Sequence, residues 1–181
     1  MVILKKVRVS PFQIVSIPAI VIMGSVPALA AVYLTVEEAQ QVIFPGESFT
    51  PVPLTLSEQD KKAIKDKGGL AVSKRQKVWR TSNSGCFIVD EVIGKHEFIV
   101  FAVGINPDGA VRQIEILSYR EAYGFEVRQK KWRRQFVGKT SASPLELKQD
   151  IRNISGATLS CRHVTEGVKR TLALYEVVIK K

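Results

Sequence analysis

Between Gly85 and Tyr119 the chain runs through "CFIVDEVI", "EFIVFAVGI" and "AVRQIEILSY", three stretches dense in β-branched and aromatic residues. Gly94-Lys95 separates the first two, and Asn106-Pro107-Asp108-Gly109 the second pair, residue types that favour tight turns. The pattern predicts an antiparallel three-stranded meander. Val111, Ile114 and Ile116 break strict alternation, which points to a bulge or to a partly buried second face. A small sheet of this kind must cover an apolar face, so the expected fold class is α+β, with helices packed on one face of the meander.

The flanking segments supply those helices. Thr35 to Gln41, in "TVEEAQQVIF", reads as a short helix with Glu37 and Glu38 in its first turn, where the dipole favours acids, and it ends at Pro45-Gly46. Ser57 to Lys67 reads as a charged surface helix capped by Ser57 and stopped by Gly68-Gly69. Residues 31–84 are thus expected to be a helical and loop segment ahead of a domain over 85–181. Near the C-terminus Val164, Val168, Leu172 and Tyr175 fall at i, i+4, i+8 and i+11, one apolar stripe, while Arg162, Glu166, Lys169 and Arg170 are expected to face away. That helix opens on Ser155-Gly156-Ala157-Thr158. Its small hydroxyl residues either cap the first turn or leave the free N–H groups to an anion.

The first thirty residues read as a signal peptide outside the folded domain. Lys5, Lys6 and Arg8 precede an uncharged apolar run from Phe12 to Val26, and Ala28-Leu29-Ala30 gives an A-x-A-like cleavage site, with the mature chain starting at Ala31 or Val32. Pro11, Gln13, Ser16, Pro18, Gly24 and Ser25 interrupt the run, against roughly 20 consecutive apolar residues for a membrane span. The expected location is therefore the periplasm or the extracytoplasmic face of a membrane. A net charge of +10 favours an anionic partner without naming one. Arg128 to Arg134 interleaves basic residues with Trp132 and reads as a solvated basic helix, Gln129 to Phe136, anchored by Trp132 and Phe136; export argues against nucleic acid as its partner. Cys86 and Cys161 are too few to form a disulfide framework, and His96 and His163 have no metal-ligand constellation around them.

At this point the residues carry a resemblance. Ser155-Gly156-Ala157-Thr158-Leu159-Ser160 resembles the flavinylation motif of the FMN-binding domain family, which includes the covalent-FMN subunits of sodium-translocating quinone reductases and of Rnf-type complexes. Glu121, Gly124 and the stretch "QFVGK", Gln135 to Lys139, stand upstream in the family's order and at similar spacing. Arg152 occupies the position that is usually acidic in the family, with Asp150 two residues earlier, and Glu121-Ala122-Tyr123-Gly124 replaces the usual Glu-Thr-Pro-Gly loop. The resemblance implies FMN joined to Thr158 through a phosphoester bond, put there by a separate FAD:protein FMN transferase that uses Mg²⁺.

The site implied in this way consists of Ser155, Gly156, Ala157, Thr158, Leu159, Ser160, Glu121, Tyr123, Gly124 and Lys139. Tyr119 and Phe125 are further candidates for the flavin bed, and Lys139 or His163 for positive charge near the ring. No substrate pocket and no catalytic residue is evident in the sequence. The expected function is an exported flavoprotein that passes electrons between a donor and an acceptor at or near the membrane, rather than a self-sufficient enzyme. The alternatives are a flavin-free exported basic module that docks an anionic partner, and a small reductase acting on a soluble acceptor.

Overall fold

The computed structural model describes residues 31–121 and 123–180; the leader expected over 1–30 lies outside the described residues. Six strands form one antiparallel sheet in the order β1-β6-β5-β4-β3-β2: β1 (Ala31–Val32), β2 (Phe49–Val52), β3 (Lys77–Thr81), β4 (Cys86–Ile93), β5 (Phe98–Ile105) and β6 (Val111–Tyr119). The expected meander is its centre. β4 and β5 pair from Cys86 opposite Ile105 to Ile93 opposite Phe98, and β5 and β6 from Ile99 opposite Tyr119 to Ile105 opposite Val111. The irregular pattern of Val111, Ile114 and Ile116 has its cause in two register shifts along the β5–β6 ladder, between Val100 and Phe101 and between Gly104 and Ile105.

Two expectations about the sheet and its layers need correction. Residues 31–84 are not helix and loop alone, because they add β1, β2 and β3 to the sheet, and β3 pairs with β4 across the boundary expected at residue 84. Nor do the helices lie on one face. Helix α1 (Val36–Ile43) packs Ala39 and Ile43 on Phe87, Val89, Ala102 and Leu117. Ile88, Phe101 and Val103 belong to the larger core on the opposite face, beneath helix α2 (Glu58–Gly68) and the C-terminal helix α4 (Thr158–Leu174). Alternate residues of one strand thus enter two cores, as the pleat requires.

In α4 the stripe of Val164, Val168, Leu172 and Tyr175 is buried as expected. Arg170 does not face away. Its guanidinium reaches through the larger core to Asp90 of β4, donating from Nε at 3.0 Å and Nη2 at 2.8 Å to Oδ2, while Gln76 Nε2 donates to the same oxygen at 2.7 Å. The basic segment is not one solvated helix either. A 3₁₀ turn (Phe125–Arg128), the single-turn helix α3 (Lys130–Arg133) and a second 3₁₀ turn (Arg134–Phe136) follow one another. Trp132 and Phe136 anchor them as expected, buried edge to face at 5.1 Å. Arg133 is drawn inward, donating to Ile114 O at 2.6 Å and pairing with Glu115.

Among the described residues, no helix is long and apolar enough to cross a membrane.

Candidate functional site

Helix α4 begins without a cap. Its N-cap residue is Ala157, and among the described residues no side chain caps the first turn. The amides of Thr158, Leu159 and Ser160 therefore have no intrahelical acceptor, and they lie at the positive end of a 17-residue helix. The hydroxyl groups that the sequence offered as caps are used otherwise or left open: Ser155 is exposed, Ser160 bonds Tyr119, and Thr158 stands on the first helical position. The turn into the helix is held by Ala157 N–H donating to Ile154 O at 3.0 Å and by Cys161 N–H donating to Ala157 O at 2.9 Å. Gly156 takes φ +82° in that turn, with nothing within 4 Å of where a Cβ would lie, so glycine is needed there for backbone conformation and not for space.

Gly156 to Ser160 line a cavity of about 380 Å³ together with Glu121, Tyr123, Lys95 and His96. Thr158 and Tyr123 are exposed, Tyr123 to 83% and Leu159 to 40%. The cavity thus joins a nucleophile-type hydroxyl, free backbone donors, the cationic side chain of Lys95 and open apolar surface.

Beneath it lies a polar node. The Tyr119 hydroxyl donates to Tyr123 O and shares a hydrogen bond with Ser160 Oγ at 2.8 Å. Burial pushes its phenol above the ordinary value, which keeps it a neutral donor. Gly124, at φ +91°, passes so close that a Cβ there would lie 2.6 Å from the Tyr119 hydroxyl and 2.8 Å from Ser160 Oγ. Tyr119, Gly124 and Ser160 therefore fasten the loop after β6 to the start of α4.

Glu121 works on the opposite wall. Its Oε1 accepts from the amides of His96 at 2.5 Å and Glu97 at 2.9 Å, in the β4–β5 turn. Partial desolvation pushes its carboxyl up, but the amides of Glu97, His96 and Lys95 outweigh this, so it lies below the ordinary glutamate value. His163 of α4 reaches the same turn, its Nδ1 3.1 Å from Gly94 O. The turn that carries Lys95 and His96 is thus pinned from two sides.

The structure does not bring every expected residue to the cavity. Lys139 pairs with Asp150 at 2.9 Å and does not line it, and Phe125 is exposed but outside it. Cys161 is buried, and burial raises its thiol pKa, which keeps it neutral behind the turn. Sequence reasoning missed Lys95 and Asn153. Gly94-Lys95 was legible as a turn, but its approach to α4 depends on Glu121 and His163. Nothing local to His96 in the sequence marks its place at the cavity.

Residues 94–173 match the model of the FMN-binding domain family. That stretch of the chain belongs to the FMN-binding domain family. It contains every residue of the cavity, and the match favours the flavin reading over a flavin-free basic module. No curated protein matches the chain. The parts of FMN suit what this FMN-binding domain offers: its phosphate suits the uncapped amides and the cation of Lys95, and its apolar ring suits the exposed faces of Tyr123 and Leu159.

Proposed function

We propose that this protein is an exported electron carrier whose FMN is attached to the Thr158 hydroxyl through a phosphoester bond. The observation that carries the reading is the exposed Thr158 hydroxyl at the uncapped start of α4, opening on the cavity inside the matched stretch. FMN supplies reversible electron transfer when bound.

A threonine hydroxyl is a weak nucleophile at neutral pH, so attachment needs a partner enzyme, an FAD:protein FMN transferase with Mg²⁺. In that step Thr158 Oγ bonds to the flavin-side phosphorus of FAD. The pyrophosphate P–O bond breaks, AMP leaves, and the hydroxyl proton passes to a base of the transferase. The resulting phosphodiester keeps one negative charge, which the amides of Thr158 to Ser160 and the cation of Lys95 are suited to receive. Thr158 and the bare Gly156 two residues before it are both exposed, which leaves the hydroxyl approachable.

An open site suits electron exchange by contact with a periplasmic or membrane-bound redox partner, without nucleic acid. Covalent attachment also suits export, since free FMN lost outside the cytoplasm is not replaced. Co-expression with a transferase and export should yield a chain that begins at Ala31 or Val32 and is heavier by FMN minus water, with flavin that survives denaturation. Thr158→Ala should carry none; denaturation-resistant flavin on that variant would sink the assignment.

A further inference from the structure

Asn153 lies five residues before Thr158, and its Nδ2 donates to Thr158 Oγ1 at 2.8 Å. Its other amide atom, Oδ1, is buried and has no hydrogen-bond partner among the described residues. An asparagine kept for loop structure alone would use both ends of its amide, because an unpaired buried acceptor is costly. Among the described residues, the one hydrogen bond its side chain makes is to the hydroxyl at the site.

The backbone beside it is fixed from both sides. Trp132 Nε1 donates to Arg152 O at 2.8 Å, and Arg152 N–H donates to Gln135 Oε1 at 2.8 Å. Gln135 in turn donates from Nε2 to Trp132 O at 3.0 Å, and Trp132 is buried. The neighbouring residue of Asn153 is therefore tied to the anchored segment after the sheet, and Asn153 extends from a rigid base.

From this arrangement we infer that Asn153 is a positioning residue for flavin attachment, an inference that rests on Thr158 being the acceptor. Its amide N–H holds the Thr158 hydroxyl in one rotamer. The bond occupies one lone pair of Oγ, leaving the second to form the bond to phosphorus and the O–H free to give its proton to the transferase. As that proton leaves, the N–H of Asn153 stabilises the negative charge growing on Oγ, an interaction that strengthens in the transition state.

The test is the initial rate of flavin incorporation into the full chain, with purified transferase, FAD and Mg²⁺, read as flavin fluorescence of the denatured protein. For Asn153→Ala the turnover rate should fall at least about tenfold, with the KM for the protein substrate within about twofold of wild type, as for an interaction made chiefly in the transition state. Asn153→Asp keeps the shape but lacks the N–H, and it should also be slow. The thermal midpoint of both variants should match that of wild type. A wild-type rate in either variant would overturn the role of Asn153, and so would slowing that comes with a raised KM and a lowered melting point, since that marks a structural part. The control separates the two readings: labelling of Thr158→Ala would overturn the attachment site and this inference together, whereas an unlabelled Thr158→Ala beside a normally labelled Asn153→Ala overturns the inference alone.

Discussion

Helix α2 begins on Ser57, whose hydroxyl accepts from Asp60 N–H at 3.1 Å while the Asp60 carboxylate accepts from Ser57 N–H at 3.1 Å. Helix α1 begins in the same way, with Thr35 and Glu38 in a reciprocal box. Helix α4 is longer than either and has no such box, although Ser155 and Thr158 stand at its start. The contrast continues along α4 itself. Its body is buried, with Arg170 bonded to Asp90, Ala71 O and Glu91 O, whereas its first turn presents Thr158 and Leu159 to solvent. In a sequence whose local choices otherwise agree with the fold, the place where a helix keeps its free donors is where a ligand is to be expected. Stability resides in the body of α4 and in the boxed helices, and the tip is left available for chemistry.

The comparison can be broken most sharply in the body. Arg170→Met would leave the Asp90 carboxylate buried without its cation, with side-chain exposures in the native pair of 8% and 0%. The loss should be about 3–5 kcal/mol, seen as a lower urea midpoint. A much smaller loss would mean that the body of α4 is not held by this pair.

Ser57→Ala removes one half of the box on α2 and should cost about 1 kcal/mol, checked by thermal melting. Its labelling with flavin should equal that of wild type, because α2 supplies no residue of the cavity.

Acid should also act on the wall of the site. The Glu121 carboxyl has a folded pKa below its unfolded value, so its contribution is present above the ordinary glutamate range and is lost as pH falls through the folded pKa. The group is partly exposed, so the whole effect should stay under about 1 kcal/mol. Hydrogen exchange of the His96 and Glu97 amides should quicken on acidification in wild type. In Glu121→Gln it should already be faster at neutral pH and respond little to acid.

The smallest effect is expected at the tip. Thr158 caps nothing, so Thr158→Ala should change stability by less than about 0.5 kcal/mol while abolishing covalent flavin. A loss near that of Ser57→Ala would show that the two helix starts are energetically alike and would remove the contrast.

Much of this was legible in the chain. The meander could be read because turn residues and β-branched runs act over a few neighbours, and the stripe of α4 because a helix repeats every 3.6 residues. β2 and β3 were not legible: "FTPV" and "KVWRT" are short, and Pro51 is tolerated because β2 lies at the sheet edge. Arg170 looked like a surface charge because its partner, Asp90, is 80 residues away. Lys139 looked like a site cation for the same reason, since Asp150 claims it only in the folded chain.

By itself the sequence determined the local events: where the turns fall, which side of α4 is apolar, that Ser57 and Thr35 start helices with their acids three residues on, and that a threonine follows Gly-Ala at the start of the last helix. Only the tertiary structure decided which polar groups are consumed and which are left over. It made Glu121, which lines the cavity, the brace of the β4–β5 turn as well, brought Lys95 and His96 to the cavity, placed Tyr119 beneath Ser160, and set Asn153 against the Thr158 hydroxyl. The physical reason is range. Propensity, capping and periodicity are settled within a few residues of chain, whereas the partner of a hydrogen bond or an ion pair is whatever packing brings within about 3 Å, and no local pattern records it.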